Sequence, residues 1–145
     1  MSIFDEISTM FSIESKESPA TERQIKELMN FSTIEVPADY IEFIKVATEV
    51  EINVKNEMYI RIWGPADSIE MNEAYYIQKY IPNSLAIGDD EGGNALIYLE
   101  GKRGFGLYMI GFGNLDIVDA VLIAPSLTDL LVNNFGLDQV MSGYE

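Results

Sequence analysis

The chain has 145 residues with 24 acidic and nine basic side chains, no His and no Cys, which gives a formal net charge of −15. This charge argues against nucleic acid and anionic membranes as partners, because phosphate groups are bound by clustered Lys and Arg. The missing His and Cys exclude zinc sites built on those ligands and catalysis by imidazole or thiolate, so we expect no cofactor and favour a basic protein as the partner.

The length and the apolar content predict one domain with its own core. With 48% hydrophobic residues, the chain can bury a core without a metal or a disulfide. No stretch approaches 18 uncharged apolar residues, and the acids near the N-terminus are unlike a secretory signal. We therefore expect the protein in the cytoplasm.

The N-terminal segment is predicted to be helical. An apolar stripe at helical spacing predicts a short amphipathic helix over residues 3–13, and the polar residues 14–18 predict a linker. We therefore divide the chain into an N-terminal helix and linker, residues 1–17, and an α+β region, residues 18–145, within one structural domain overall.

Capping signals mark the later helices. Thr21 and Gln24 match a capping box for a helix that ends near residue 30, and Pro37 suits the first position of the next helix. A further helix is predicted over residues 67–80. Ser126, with an acid three positions on, begins a final helix that Gly136 closes.

Alternating apolar residues and Gly-containing turns predict the strands. They cover residues 51–54, 57–63, 85–88, 94–99, 105–112 and 121–124. The fold class is therefore α+β, a single domain in which helices pack on a face of an antiparallel-rich sheet of about six strands. The core is expected to contain Phe43, Ile60, Ile87, Ile97 and Leu130.

A turn of three successive carboxylates is the first candidate site. Asp89, Asp90 and Glu91 precede Gly92 and Gly93 between two apolar runs. Because these charges repel one another, we expect the turn to be exposed, as a solubilising hairpin or as a docking point for a basic partner. The spacing does not match an EF-hand, and we expect no metal.

Aromatic residues give the second candidate. Trp63, the only Trp, ends a strand and is a candidate anchor for a partner, although core packing explains it as well. Tyr76 and Tyr80 share one face of the helix predicted over 67–80, and packing against the sheet explains both. From residue 104 onward there is no Lys or Arg, which predicts a negative surface that steers a basic partner.

Several short motifs follow one another in an order that resembles a known family. They are Val36-Pro37-Ala38-Asp39-Tyr40 with Phe43-Ile44, Ile62-Trp63, Pro82 before Leu85-Ala86-Ile87-Gly88, the acidic turn through Asn94 with Ala95 to Tyr98, and Ile123-Ala124-Pro125-Ser126-Leu127 before Leu130-Leu131. Over residues 20–135 the chain resembles the SUKH superfamily, which includes bacterial immunity proteins and fungal cell-wall-assembly regulators. The Gly-rich turn often found after the Tyr40–Phe43 helix is replaced by Thr48-Glu49-Val50-Glu51.

The resemblance implies an α+β domain without catalysis. In bacteria it implies an immunity protein that binds and neutralises a toxin domain of the nuclease or deaminase type. We predict such a non-catalytic binding module, with Asp89, Asp90, Glu91 and Trp63 as partner-binding residues. The alternatives are a carboxylate- or metal-dependent hydrolase, and a regulatory scaffold without a toxin partner.

Overall fold

A computed structural model describes residues 2–142 and contains one antiparallel sheet of seven strands within that range. The strands are β1 Phe11–Glu17, β2 Thr48–Val54, β3 Met58–Ile62, β4 Ser84–Asp89, β5 Asn94–Gly101, β6 Gly104–Gly111 and β7 Val121–Ala124. Their order in the sheet is their order in the chain. The predicted α+β class and antiparallel sheet are confirmed, with seven strands instead of about six.

Seven helices accompany the sheet in the described range. They are α1 Ile3–Glu6, α2 Glu22–Phe31, α3 Ala38–Ile44, α4 Pro65–Ala74, α5 Ile77–Tyr80, α6 Leu127–Leu131 and α7 Leu137–Ser142, with a 3-10 turn at Ile117–Asp119. The capping box of α2 is present, since Thr21 Oγ1 accepts from the Gln24 N–H at 3.1 Å and Gln24 Oε1 accepts from the Thr21 N–H at 2.9 Å. Ser126 caps α6, but Gly136, at φ 72°, separates α6 from α7.

The prediction of a helix over 3–13 and a linker at 14–18 is wrong. Only Ile3–Glu6 is helical, and Phe11–Glu17 forms the edge strand β1. β1 pairs with β2 from Phe11↔Val54 onward. A short helix is marginal in water, whereas a strand gains ladder hydrogen bonds along β2, so pairing with a distant segment overrides the local stripe.

Both faces of the sheet are covered. On one face Leu96 and Tyr98 join a cluster with residues of α2, α3, α6 and α7. On the other face Ile97 packs with Trp63 and with Ile77 of α5. The five predicted core residues are all buried, and the expectation that the helices gather on one face is wrong because α5 covers the second.

β3 and β4 pair over a very short length, and this short junction determines where the candidate site lies. The two strands pair only at Arg61↔Asp89 and Ile62↔Gly88. Beyond these two pairs α4 lies along β4. Side chains of α4 make the hydrogen bonds to the β4 backbone that a neighbouring strand would otherwise make. The Ala86 N–H donates to Asn72 Oδ1 at 3.0 Å, and the Ala86 carbonyl accepts from Ser68 Oγ and Asn72 Nδ2, both at 2.9 Å. α4 is thereby fixed beside the acidic turn.

Candidate protein-binding surface

The acidic turn, residues 89–93, connects β4 to β5. Glu91 and Gly93 carry its positive φ angles, 56° and 99°. The Asp90 N–H donates to the Asn94 carbonyl at 3.0 Å and closes the hairpin. The backbone of the turn is therefore held by β4 and β5, so its side chains start from fixed positions.

Asp90 organises the turn from inside it. Its Oδ1 accepts from the N–H groups of Gly92 and Asn94 at 2.8 and 3.0 Å, and its Oδ2 accepts from Asn94 Nδ2 at 2.8 Å. Asp90 is only 9% exposed. The expectation that the whole acidic turn is exposed is wrong for this carboxylate, because local N–H donors satisfy its charge.

Asp89 is oriented by the buried indole of Trp63. Trp63 Nε1 donates to Asp89 Oδ2 at 2.9 Å, while Asp89 Oδ1 accepts from the Glu91 N–H at 2.8 Å. Trp63 is 2% exposed, and its carbonyl accepts from the Tyr40 hydroxyl at 2.6 Å. The structure thus places Trp63 in the core behind the turn, and a direct contact with a partner stays a prediction.

Arg61 lies between two carboxylates at the turn. Arg61 Nη2 is 3.5 Å from Glu51 Oε2, and Arg61 Nε is 3.9 Å from Glu91 Oε2. Partial burial and the neighbouring Glu51 raise the pKa of Glu91 to about 7, against the opposing effect of Arg61. The single guanidinium of Arg61 does not neutralise the carboxylates of Glu51, Glu91 and Asp89, so this patch carries net negative charge.

A second acidic pair lies at the beginning of α4. Glu49, at φ 48°, accepts from the Gly64 N–H through Oε2 at 2.7 Å, while its Oε1 is buried and accepts no hydrogen bond from the described residues. Burial, followed by the nearby Asp67, raises the pKa of Glu49 to about 7. Among residues 2–142 no group of three or more carboxylates is arranged to hold a metal ion.

Next to the acidic turn is a groove with aromatic walls, which we call the tyrosine groove. Its volume is about 640 Å³. The residues that form it include Tyr75, Tyr76, Tyr80, Phe112, Asp116 and Ile117. The groove adjoins the turn, because the N–H of Phe112, which lines the groove, donates to the carbonyl of Gly93 at 2.9 Å.

Contacts between aromatic rings connect the groove to the core. The Tyr75 ring lies 4.3 Å from that of Phe112, and Phe112 lies 6.4 Å from Trp63, centroid to centroid. Lys79 Nζ lies over two further rings, 6.0 Å from the centroid of Tyr76. These contacts tie one part of the groove to the core, while the rings of Tyr76 and Tyr80 are exposed at the surface.

Sequence reasoning missed the groove. The predicted helix over 67–80 is broken at Tyr76, which has φ 55° and ψ 40°, so the i, i+4 argument for packing does not apply. The prediction that Tyr76 and Tyr80 pack against the sheet is wrong, since they are 65% and 54% exposed. The usable signal was three tyrosines within six residues, a residue type that is enriched at interfaces.

This combination of exposed aromatic rings and a carboxylate-rich turn favours a protein-binding domain. The model of the SMI1/KNR4 family (SUKH-1) matches residues 19–133, and the chain belongs to this family. SUKH proteins are generally non-catalytic, and membership supports an immunity or regulator-type module. Comparison with curated proteins finds no match. In residues 2–142 no helix combines the length and the apolar character needed to cross a bilayer.

Proposed function

We propose that this protein is an immunity protein that binds a basic toxin domain in the cytoplasm and blocks it. The observation that carries the proposal is the match of the immunity- and regulator-type family to residues 19–133 in a chain with a net charge of −15. A toxin that acts on nucleic acid needs a basic surface, because phosphate binding requires clustered Lys and Arg. An acidic protein covers such a surface with long-range attraction and rapid association.

The acidic turn is the proposed centre of charge recognition. Glu91 and Asp89 face the partner, while Asp90 holds the turn and Trp63 orients Asp89 from the core. Because the hairpin is ordered before binding, little conformational entropy is lost when the complex forms. Glu51 adds a further carboxylate on the adjoining strand.

The first test is neutralisation of the toxin encoded beside the gene of this protein. The toxin domain is expressed in a bacterial host with and without the protein, and growth is recorded. We expect the protein to restore growth and to form a complex with an inactivated toxin domain. Toxicity that persists, with no complex, would refute the immunity role and leave only a regulator-type module.

The second test concerns the turn. Glu91→Gln should slow association with the inactivated toxin several-fold at low salt and reduce the dependence of the association rate on ionic strength. Glu100→Gln is the matched control, because Glu100 is an exposed carboxylate near the opposite end of β5. Both variants are compared at about pH 8.5, above the pKa of about 7 to which Glu91 is raised, so that each substitution removes close to one negative charge. Identical rates and salt dependence for the two variants would remove the turn from the interface.

A further inference from the structure

Tyr76 adopts a backbone conformation that tyrosine rarely takes, and its ring is nevertheless left in solvent. Its φ of 55° and ψ of 40° lie in the left-handed region, which favours Gly, Asn and Asp. The residue is 65% exposed, so packing of its ring does not compensate for this conformation. Strain of this kind persists where the surrounding fold imposes it and is concentrated at binding sites.

A cation already occupies the edge of the groove. Lys79 Nζ lies 6.0 Å from the ring centroid of Tyr76 and 5.6 Å from that of Tyr80. Both distances are within the range of a cation–π interaction. The two rings are therefore spaced to hold one positive group between them, and an exposed Lys on a flexible stem is readily displaced.

The remainder of the groove suits a guanidinium group. Tyr75 and Phe112, whose rings are in tilted contact, line it together with Asp116, and one oxygen of Asp116 accepts from the Val118 N–H. The chain has no Lys or Arg from residue 104 onward, so the wall after Phe112 carries only negative charge. Arginine stacks on aromatic rings and donates to carboxylates at the same time, which lysine does less well.

Charge also decides against a second copy of this chain as the occupant. Two chains that each carry a net charge of −15 repel each other, whereas a basic surface is attracted. We infer that the tyrosine groove receives an arginine side chain from a basic protein partner, which takes the place of Lys79 between Tyr76 and Tyr80. This inference rests on the proposed function for the basic character of the partner, and it names the residues that select it.

The first experiment needs only the purified protein. The ¹⁵N-labelled chain is titrated with a blocked Gly-Arg-Gly-Arg-Gly peptide, with the Gln-containing peptide of equal length as the control. We expect amide and tyrosine shifts at residues 74–80 and 112–117 with the Arg peptide alone. Shifts centred on residues 89–91, or spread evenly over the acidic surface, would overturn the inference.

Tyr76→Gly separates binding from folding. Glycine accepts the left-handed conformation, so we expect a Tm equal to or above that of the parent protein, with the peptide shifts lost and toxin affinity reduced at least tenfold. Phe105→Ala is the control, because Phe105 is 50% exposed at the other end of β6, about 23 Å of strand from Phe112. Unchanged affinity in a folded Tyr76→Gly would refute the role of the groove.

Lys79→Ala tests the chemistry of the occupant. Removing the resident cation should strengthen binding of the Arg peptide and of the toxin several-fold, since a competitor and a repulsive charge are lost. Weaker binding would show that Lys79 itself contacts the partner and would overturn the arginine assignment. Failure of toxin neutralisation with peptide binding intact would refute the proposed function alone, whereas toxin binding by Tyr76→Gly at full affinity would refute the groove alone.

Discussion

Substituting Glu49 by Gln should remove part of the pH dependence of stability. Burial and the nearby Asp67, with a further contribution from Glu17, raise the pKa of Glu49 from 4.5 to about 7. The folded state therefore retains a proton that the unfolded state loses above pH 4.5. The contribution of the Glu49 carboxyl to the free energy of unfolding is complete below pH 4.5, falls as the pH rises, and is lost above about pH 7.

The size of the effect follows from the same numbers. One pKa unit corresponds to about 1.4 kcal/mol, so the rise from 4.5 to about 7 sets an upper bound of about 3.5 kcal/mol. Glu49 is only half-buried, and solvent screening reduces this to about 1–2 kcal/mol. Gln keeps an acceptor for the Gly64 N–H and offers a permanent donor toward Asp67, so it reproduces the protonated form.

Urea unfolding followed by Trp63 fluorescence measures this effect, since Trp63 is the only Trp and is 2% exposed in the folded protein. Relative to the parent protein, Glu49→Gln should be more stable by about 1–2 kcal/mol at pH 8 and nearly equal at pH 5. The pKa of Glu91 is also raised to about 7, so this residue likewise makes the protein less stable as the pH rises. Some pH dependence of stability therefore remains in Glu49→Gln. Glu100→Gln serves as the charge-matched control and should give a curve parallel to that of the parent. A parallel curve for Glu49→Gln as well would refute the reasoning.

Three further predictions concern stability, each measured by urea unfolding at pH 7. Asp90→Ala should cost about 2–3 kcal/mol, because two backbone N–H groups and one amide lose their acceptor; a loss below about 0.5 kcal/mol would contradict its structural role. Asn72→Ala should cost at least about 2 kcal/mol, since the buried Ala86 N–H loses its partner, and amide exchange at Ala86 should accelerate. Gly136→Ala should cost about 1–3 kcal/mol, because φ is 72° and a Cβ would collide with the Ile123 carbonyl oxygen; equal stability would refute the clash.

The parts of the fold that sequence predicted correctly are those set by local chemistry. The Thr21–Gln24 box and the hairpin that contains Ile97 each depend on residues within one short segment. β1 was missed because its identity depends on pairing with β2, more than thirty residues away. The groove was missed for the same reason, since Tyr75 and Phe112 come into contact only after α4 is fixed against β4. The burial of Asp90 could not be predicted from its charge. The N–H groups that satisfy this carboxylate are brought to it only when the turn forms.

The order of the strands determines how early during synthesis the sheet of this protein can form. Every strand pairs with the strands that immediately precede and follow it in the chain, so most of the sheet closes through short loops. Four of the six strand connections have nine residues or fewer, and these strand pairs can form soon after their second strand leaves the ribosome. Only late contacts, such as that of the Ser8 N–H with the Leu131 carbonyl, must wait for the C-terminal helices. The proposed binding surface, which consists of the acidic turn and the tyrosine groove, ends with Ile117, so all of its residues have been synthesised before β7 begins.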